Sequence, residues 1–77
     1  MINVLLFAHL KDQVGTDRLT LDQEQMTVKE LLELLMDKHS LTNVENVMVA
    51  INEEYSVEED IIKAGDTVAL IPPVSGG

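Results

Sequence analysis

The residues most able to do chemistry lie at the end of the chain, Pro72-Pro73-Val74-Ser75-Gly76-Gly77. A carboxylate carried on two glycines can enter a channel too narrow for any side chain, because glycine has no Cβ and tolerates most backbone angles. The two prolines fix φ and favour an extended direction, so the tail should stand off the body that bears it. Six extended residues span about 20 Å at roughly 3.3–3.6 Å each, enough to reach into a neighbour's active site. The other reactive groups are poorly set. His9 and His39 have no nucleophile near them in sequence, and no His/Asp/Glu spacing resembles a metal site. Glu53, Glu54, Glu58, Glu59 and Asp60 lack the Asp/Asn-Gly pattern of a calcium loop. Gly15 and Gly65 read as turn residues, not a phosphate loop. Ser40, in His39-Ser40-Leu41, lacks the Asp-Ser-Leu setting of an acyl carrier. By elimination the reactive candidate is the carboxylate of Gly77.

Composition narrows the partners. Fourteen acidic and five basic side chains give a net charge of −9, which excludes a phosphate-binding surface and makes nucleic acid an unsuitable partner. The negative charge suits a basic protein surface. With no cysteine there is neither disulfide nor thiolate chemistry, which fits a reducing cytoplasm. No apolar run approaches the roughly 18 residues of a membrane span, so no membrane role is expected. Seventy-seven residues make one domain: 1–71 as the folded body and 72–77 as an extended, flexible tail.

The elements that must position this tail are legible from patterning. Ile2 to Leu10 is nearly continuous apolar sequence and predicts a buried central strand. Gly15-Thr16-Asp17 marks a turn, and Arg18 to Asp22 alternates like an edge strand. Thr27-Val28-Lys29-Glu30 is a capping box, with Met26 and Leu31 at the positions of a hydrophobic staple. Val28, Leu31, Leu32 and Leu35 continue at helical spacing to an end near Lys38 or His39. Val47–Ile51 predicts a short strand, Asn52-Glu53-Glu54 a turn and Tyr55–Val57 a brief strand. Residues 58–63 read as a helical or irregular turn, Ala64-Gly65-Asp66 as a turn and Thr67–Ile71 as the last strand, stopped by Pro72. This order predicts an α+β domain of the β-grasp, ubiquitin-like type: a mixed sheet of four to five strands, first and last side by side, under one main helix. One helix covers one side of a sheet. Leu5, Phe7, Met48, Ala50, Ala69 and Ile71, with Asn3 and His9, are then left on an open, partly apolar face suited to a protein partner.

Leu6-Phe7-Ala8-His9-Leu10-Lys11, Thr27-Val28-Lys29-Glu30-Leu31 and, above all, Gly65-Asp66-Thr67-Val68 through Pro72-Pro73-Val74-Ser75-Gly76-Gly77 resemble the small-subunit family of molybdopterin synthase. The resemblance implies a sulfur carrier in molybdenum cofactor biosynthesis. It implies that an ATP-dependent adenylating enzyme joins AMP to Gly77, and that sulfur from a persulfide donor protein replaces AMP as a thiocarboxylate. That sulfur would attack cyclic pyranopterin monophosphate in the large subunit, within a heterotetramer of two small and two large subunits. The chain itself would bind no cofactor and hold no complete active site, ATP being used by the activating enzyme. Gly76 and Gly77 would occupy the narrow part of the channel, Val74 and Ser75 its mouth, with Pro72 and Pro73 bracing the tail. Three alternatives share the fold: a sulfur carrier for thiamine or another pathway, a modifier that joins lysines, and a plain interaction module.

Overall fold

The computed structural model describes residues 1–39, 41–42 and 44–72. Its central pair is β1 (Ile2–Leu6) and β7 (Thr67–Ile71), which run parallel with Val4 beside Val68 and Leu6 beside Leu70. Between them in sequence lie α1 (Ala8–Val14), β2 (Arg18–Leu21), β3 (Gln25–Thr27), α2 (Val28–Lys38), β4 (Met48–Ile51), β5 (Glu54–Tyr55) and β6 (Ile61–Lys63). The main sheet has the order β2-β1-β7-β4-β5, parallel only at β1–β7, and β3 and β6 form a separate two-stranded sheet. This is the mixed β-grasp architecture expected from the pattern, with its first and last strands at the centre.

The capping box forms as read. Thr27 Oγ1 accepts from Glu30 N–H at 3.1 Å, and Glu30 Oε1 accepts from Thr27 N–H at 2.8 Å, so two otherwise orphaned donors are satisfied. Val28, Leu31, Leu32 and Leu35 turn one stripe of α2 onto the sheet, where they meet Ile2, Val4, Leu6, Val49, Val68 and Leu70 in one core. His39 ends the helix, its N–H bonded to Leu35 at 3.0 Å.

Two stretches differ most from the sequence reading. The first strand stops at Leu6, and residues 8–14 form α1. A short apolar run suits either a strand or a buried helix, and the spacing of Leu10 and Val14 favours the helix. Leu10 is buried and Val14 packs against the core, while Gly15 ends the helix at φ 95° with its N–H on the Lys11 carbonyl at 2.8 Å. Ala8 and His9 are exposed on α1 and do not belong to either sheet face. The second difference is at residues 58–63, where only the first part is a turn. Asp60 Oδ2 accepts from Val57 N–H at 2.9 Å, the turn-forming use of an aspartate. Ile61–Lys63 then pairs with Gln25–Thr27, and Ile62 is fully buried opposite Met26. The brief strand expected over Tyr55–Val57 is Glu54–Tyr55.

Candidate docking face and tail

The register of five strands builds the open face row by row. Paired residues share a face and alternate residues change face, so the side away from α2 can be read directly. One row crosses Arg18, Leu5, Ala69, Ala50 and Tyr55. The row nearer the chain end has Ile71 beside Met48. Phe7 continues the extended chain of β1 at φ −122° and ψ 154°, one step past the Leu6–Leu70 pair, which sets it level with Ile71. The row at the far end has Thr20, Asn3 and Thr67.

These rows bring together all six residues expected on the face: Leu5, Phe7, Met48, Ala50, Ala69 and Ile71. Phe7 is 47% and Met48 45% exposed, so large apolar groups lie in water. Ala50 is only 6% exposed yet lies outside the core cluster, packed flat between Ala69 and Tyr55. Small residues at the centre and large ones around it make a shallow, level surface. None of its strand residues is a carboxylate, although the chain has fourteen acids. Charge collects at its margins instead. Lys11 and Arg18 join Leu5 and Phe7 around a groove of about 410 Å³, and Glu53 joins Leu5, Thr67 and Ala69 around another of about 390 Å³.

Sequence reading missed three members of this surface. Tyr55 is 69% exposed and enters through its pairing with Ala50; its strand was legible but its register was not. Arg18 enters through Leu5. Lys11 enters because α1, unexpected, follows Phe7 directly.

The end opposite the tail is fastened by polar groups. Asn52 and Glu53 make the two-residue β4–β5 turn with φ of 50° and 72°, the primed geometry that matches strand twist. Asn52 Nδ2 donates to Asp66 Oδ1 at 3.0 Å, and Asn52 Oδ1 accepts from Thr67 N–H at 3.0 Å. Asp66 Oδ2 accepts from Lys63 N–H at 2.9 Å. Hydrogen bonds from the Lys63 N–H and the Asn52 amide, with the Lys63 charge added, hold the Asp66 carboxyl below its usual 3.8. This network is structural.

β7 links face to tail. Ala69 and Ile71 lie on the open side, and the strand runs directly into Pro72, which is half-buried. The remaining tail positions, Pro73, Val74, Ser75, Gly76 and Gly77, lie outside the described residues, as does the extended course expected for 72–77. Among the described residues no three His, Asp or Glu side chains converge as a metal site, and no helix is long and apolar enough to cross a membrane.

Fold and face together define a ubiquitin-like β-grasp domain with an open side beside its last strand. Comparison with known sequences gives the family: the profile of the ThiS family matches residues 4–77, and the chain belongs to it. The chain is 41% identical to the molybdopterin synthase sulfur carrier subunit of Drosophila yakuba, over 99% of this chain and 90% of that protein. It is 42% identical to the subunit of the same name from Arabidopsis thaliana, over 99% and 82%. Among solved structures, SAMP1 of Haloferax volcanii superposes with a TM-score of 0.76 at 30% identity, covering 99% of this chain and 98% of that one. A chain from the Helicobacter pylori complex of subunits 1 and 2 of molybdopterin-converting factor superposes with a TM-score of 0.71 at 26% identity, covering 99% and 97%.

Proposed function

We propose that this chain is the sulfur-carrying small subunit of a cytoplasmic molybdopterin synthase. One observation carries the reading: the strand that runs into the tail is also the middle of the open apolar face. A partner seated on Leu5, Phe7, Met48, Ala50, Tyr55, Ala69 and Ile71 therefore fixes the base of the tail and aims its end. Full-length similarity to molybdopterin synthase sulfur carrier subunits supports the assignment, and the subunit complex formed by a structural relative supports a large-subunit partner.

The chemistry follows from the acyl group. A carboxylate is a poor acyl donor because oxide is a poor leaving group. Attack of the Gly77 carboxylate on ATP, in an adenylating partner, gives an acyl adenylate and pyrophosphate. The outer sulfur of a donor persulfide then displaces AMP to form an acyl disulfide. A second thiol on the sulfur-supplying protein reduces its S–S bond, forming a disulfide there and leaving a thiocarboxylate on Gly77. The large subunit supplies the pocket in which this sulfur attacks a pterin precursor, and two charged chains deliver the two sulfurs of a dithiolene within a heterotetramer. The chain contributes tethering: six residues beyond Ile71 hold the sulfur at high effective concentration. Pro72 and Pro73 lower the entropy lost on insertion, and Val74, Ser75 and Gly76 leave the channel unobstructed.

Intact mass measurement tests the reading. Incubated with adenylating enzyme, ATP and a sulfur source, the chain should exchange one terminal oxygen for sulfur, and that species with the large subunit should convert the pterin precursor to the dithiolene. An unchanged mass beside a carrier that does react under the same conditions sinks the proposal. Sulfur loading without dithiolene would reassign the chain to thiamine or another pathway, and lysine conjugates in place of sulfur would make it a modifier.

A further inference from the structure

β2 is an edge strand, and its register fixes which of its main-chain groups are spare. Leu6 N–H bonds to the Asp17 carbonyl at 2.9 Å, in the register that pairs Val4 with Leu19 and Ile2 with Leu21. Bonded and non-bonded pairs alternate along an antiparallel ladder. The N–H and C=O of Leu19 and Leu21 therefore face β1, and those of Arg18 and Thr20 face away. Asp22, the next even-numbered position, follows directly on the end of β2. At Arg18 the outward groups are lightly clipped by the Thr16 hydroxyl, which accepts from the N–H at 3.4 Å and donates to the carbonyl at 3.2 Å. Among the described residues no side chain clips Thr20 in this way, and Thr20 is exposed.

We propose that this edge pairs with a second copy of the chain, β2 against β2, antiparallel and centred on Thr20. In that register each Thr20 exchanges two main-chain bonds with its mate. Leu19 lies opposite Leu21 of the second copy, and Arg18 opposite Asp22. The strand is thus self-complementary: opposite charges flank an apolar pair on each side of a small polar centre. Other registers lose this match. A one-residue slip would turn the apolar side outward, two-residue slips set Thr20 opposite Arg18 or opposite Asp22, and four-residue slips bring Arg18 opposite Arg18 or Asp22 opposite Asp22. Leu19 is half-buried and Leu21 nearly covered on the α2 side, so pairing extends the core across the junction.

A two-fold axis perpendicular to the sheet generates this contact, and such an interface is self-closing. It joins two five-stranded sheets into one, with both open faces on the same side. β7 lies two strands from the junction, so both tails stay free. The net charge of −9 on each copy opposes association at long range. Salt at about 0.15 M screens that repulsion beyond a Debye length of about 8 Å, while the close Arg18–Asp22 pairs lose less. Association is therefore weak, reversible and favoured by moderate salt. It does not depend on the sulfur-carrier reading.

Sedimentation velocity on the purified chain, over a range of concentrations in moderate salt, tests the proposal. The parent should show a concentration-dependent monomer–dimer equilibrium. Arg18→Asp and Asp22→Arg should each lower the association constant about tenfold by setting like charges opposite, and the double variant should recover to within about threefold of the parent. Thr20→Pro removes an N–H that points away from β1, so it should abolish the dimer with an unchanged circular dichroism spectrum. Should that variant fail to fold, the charge-swap series still decides. A chain that is monomeric at every concentration overturns the proposal, as do single swaps without effect or a double swap that fails to recover.

Discussion

Ala69 and Leu70 are neighbours on β7 and serve opposite sides of the same sheet. Leu70 is fully buried beneath α2, in a side built from leucine, isoleucine and valine. Ala69 lies on the open side, where alanines form the centre and Phe7, Met48 and Tyr55 remain in water. The inner side is closed by the chain's own helix, and its residues are chosen for volume. The outer side is level and free of carboxylates on its strands, as a surface is when another molecule completes it. The contrast shows how one strand can divide its residues between holding a fold together and presenting it.

Four experiments would break or sharpen that contrast. The largest effect is expected where neither side is touched: deleting Gly77, or adding one residue after it, should abolish sulfur transfer with no change in melting temperature. Retained transfer would mean that the terminus is not the working group. Next, Leu70→Ala should lower the unfolding free energy by about 2–5 kcal/mol in urea titrations, the cost of a buried cavity. Ala69→Arg should change it by only about 0.5 kcal/mol, as surface substitutions do. In titration calorimetry the same Ala69→Arg variant should bind the large subunit at least about a hundredfold more weakly, a loss of about 2.7 kcal/mol. Equal binding would turn the open face to solvent and remove the docking role. Third, Thr27→Ala should cost about 1 kcal/mol of stability through loss of the helix cap, and leave binding to the large subunit unchanged. The smallest effect concerns acid. Asp66 has a folded pKa below its unfolded value near 3.8, so its contribution is fully present above that value and is lost as pH falls through the lower, folded one. Asp66→Asn should lower the neutral plateau of a stability–pH curve slightly, by the contribution that the carboxylate makes there, and flatten the acid limb below about pH 4.

Much of the inner side was legible in the sequence, because its signals are local. The capping box at Thr27, the stripe from Val28 to Leu35 and the stop at Pro72 each lie within a few residues of one another. The face was legible as a list of alternate residues, since strand periodicity assigns sides without any knowledge of pairing. What escaped depends on partners distant in the chain. Ile61–Lys63 becomes a strand because Gln25–Thr27 lies beside it, and no local pattern shows that. Tyr55 joins the face only through Ala50, and Arg18 only through Leu5. The end of β1 was misjudged for a different reason: an apolar run carries the same composition whether it pairs as a strand or winds as a helix, and the turn at Ala8, with φ 52°, divides the two.

The central position of β7 also governs the order in which this protein can come into being. β7, last in sequence of the described strands, belongs between β1 and β4. Its pairing with β1 joins residues 2–6 to residues 67–71 and closes a loop of nearly the whole chain, the kind of distant contact that slows folding. Until that strand arrives, β1 and β4 have no shared neighbour and the rows of the open face do not exist. A chain cut short before Thr67 lacks the rows of the open face as well as the residues that follow them. Closing the sheet and forming the open face are thus one event.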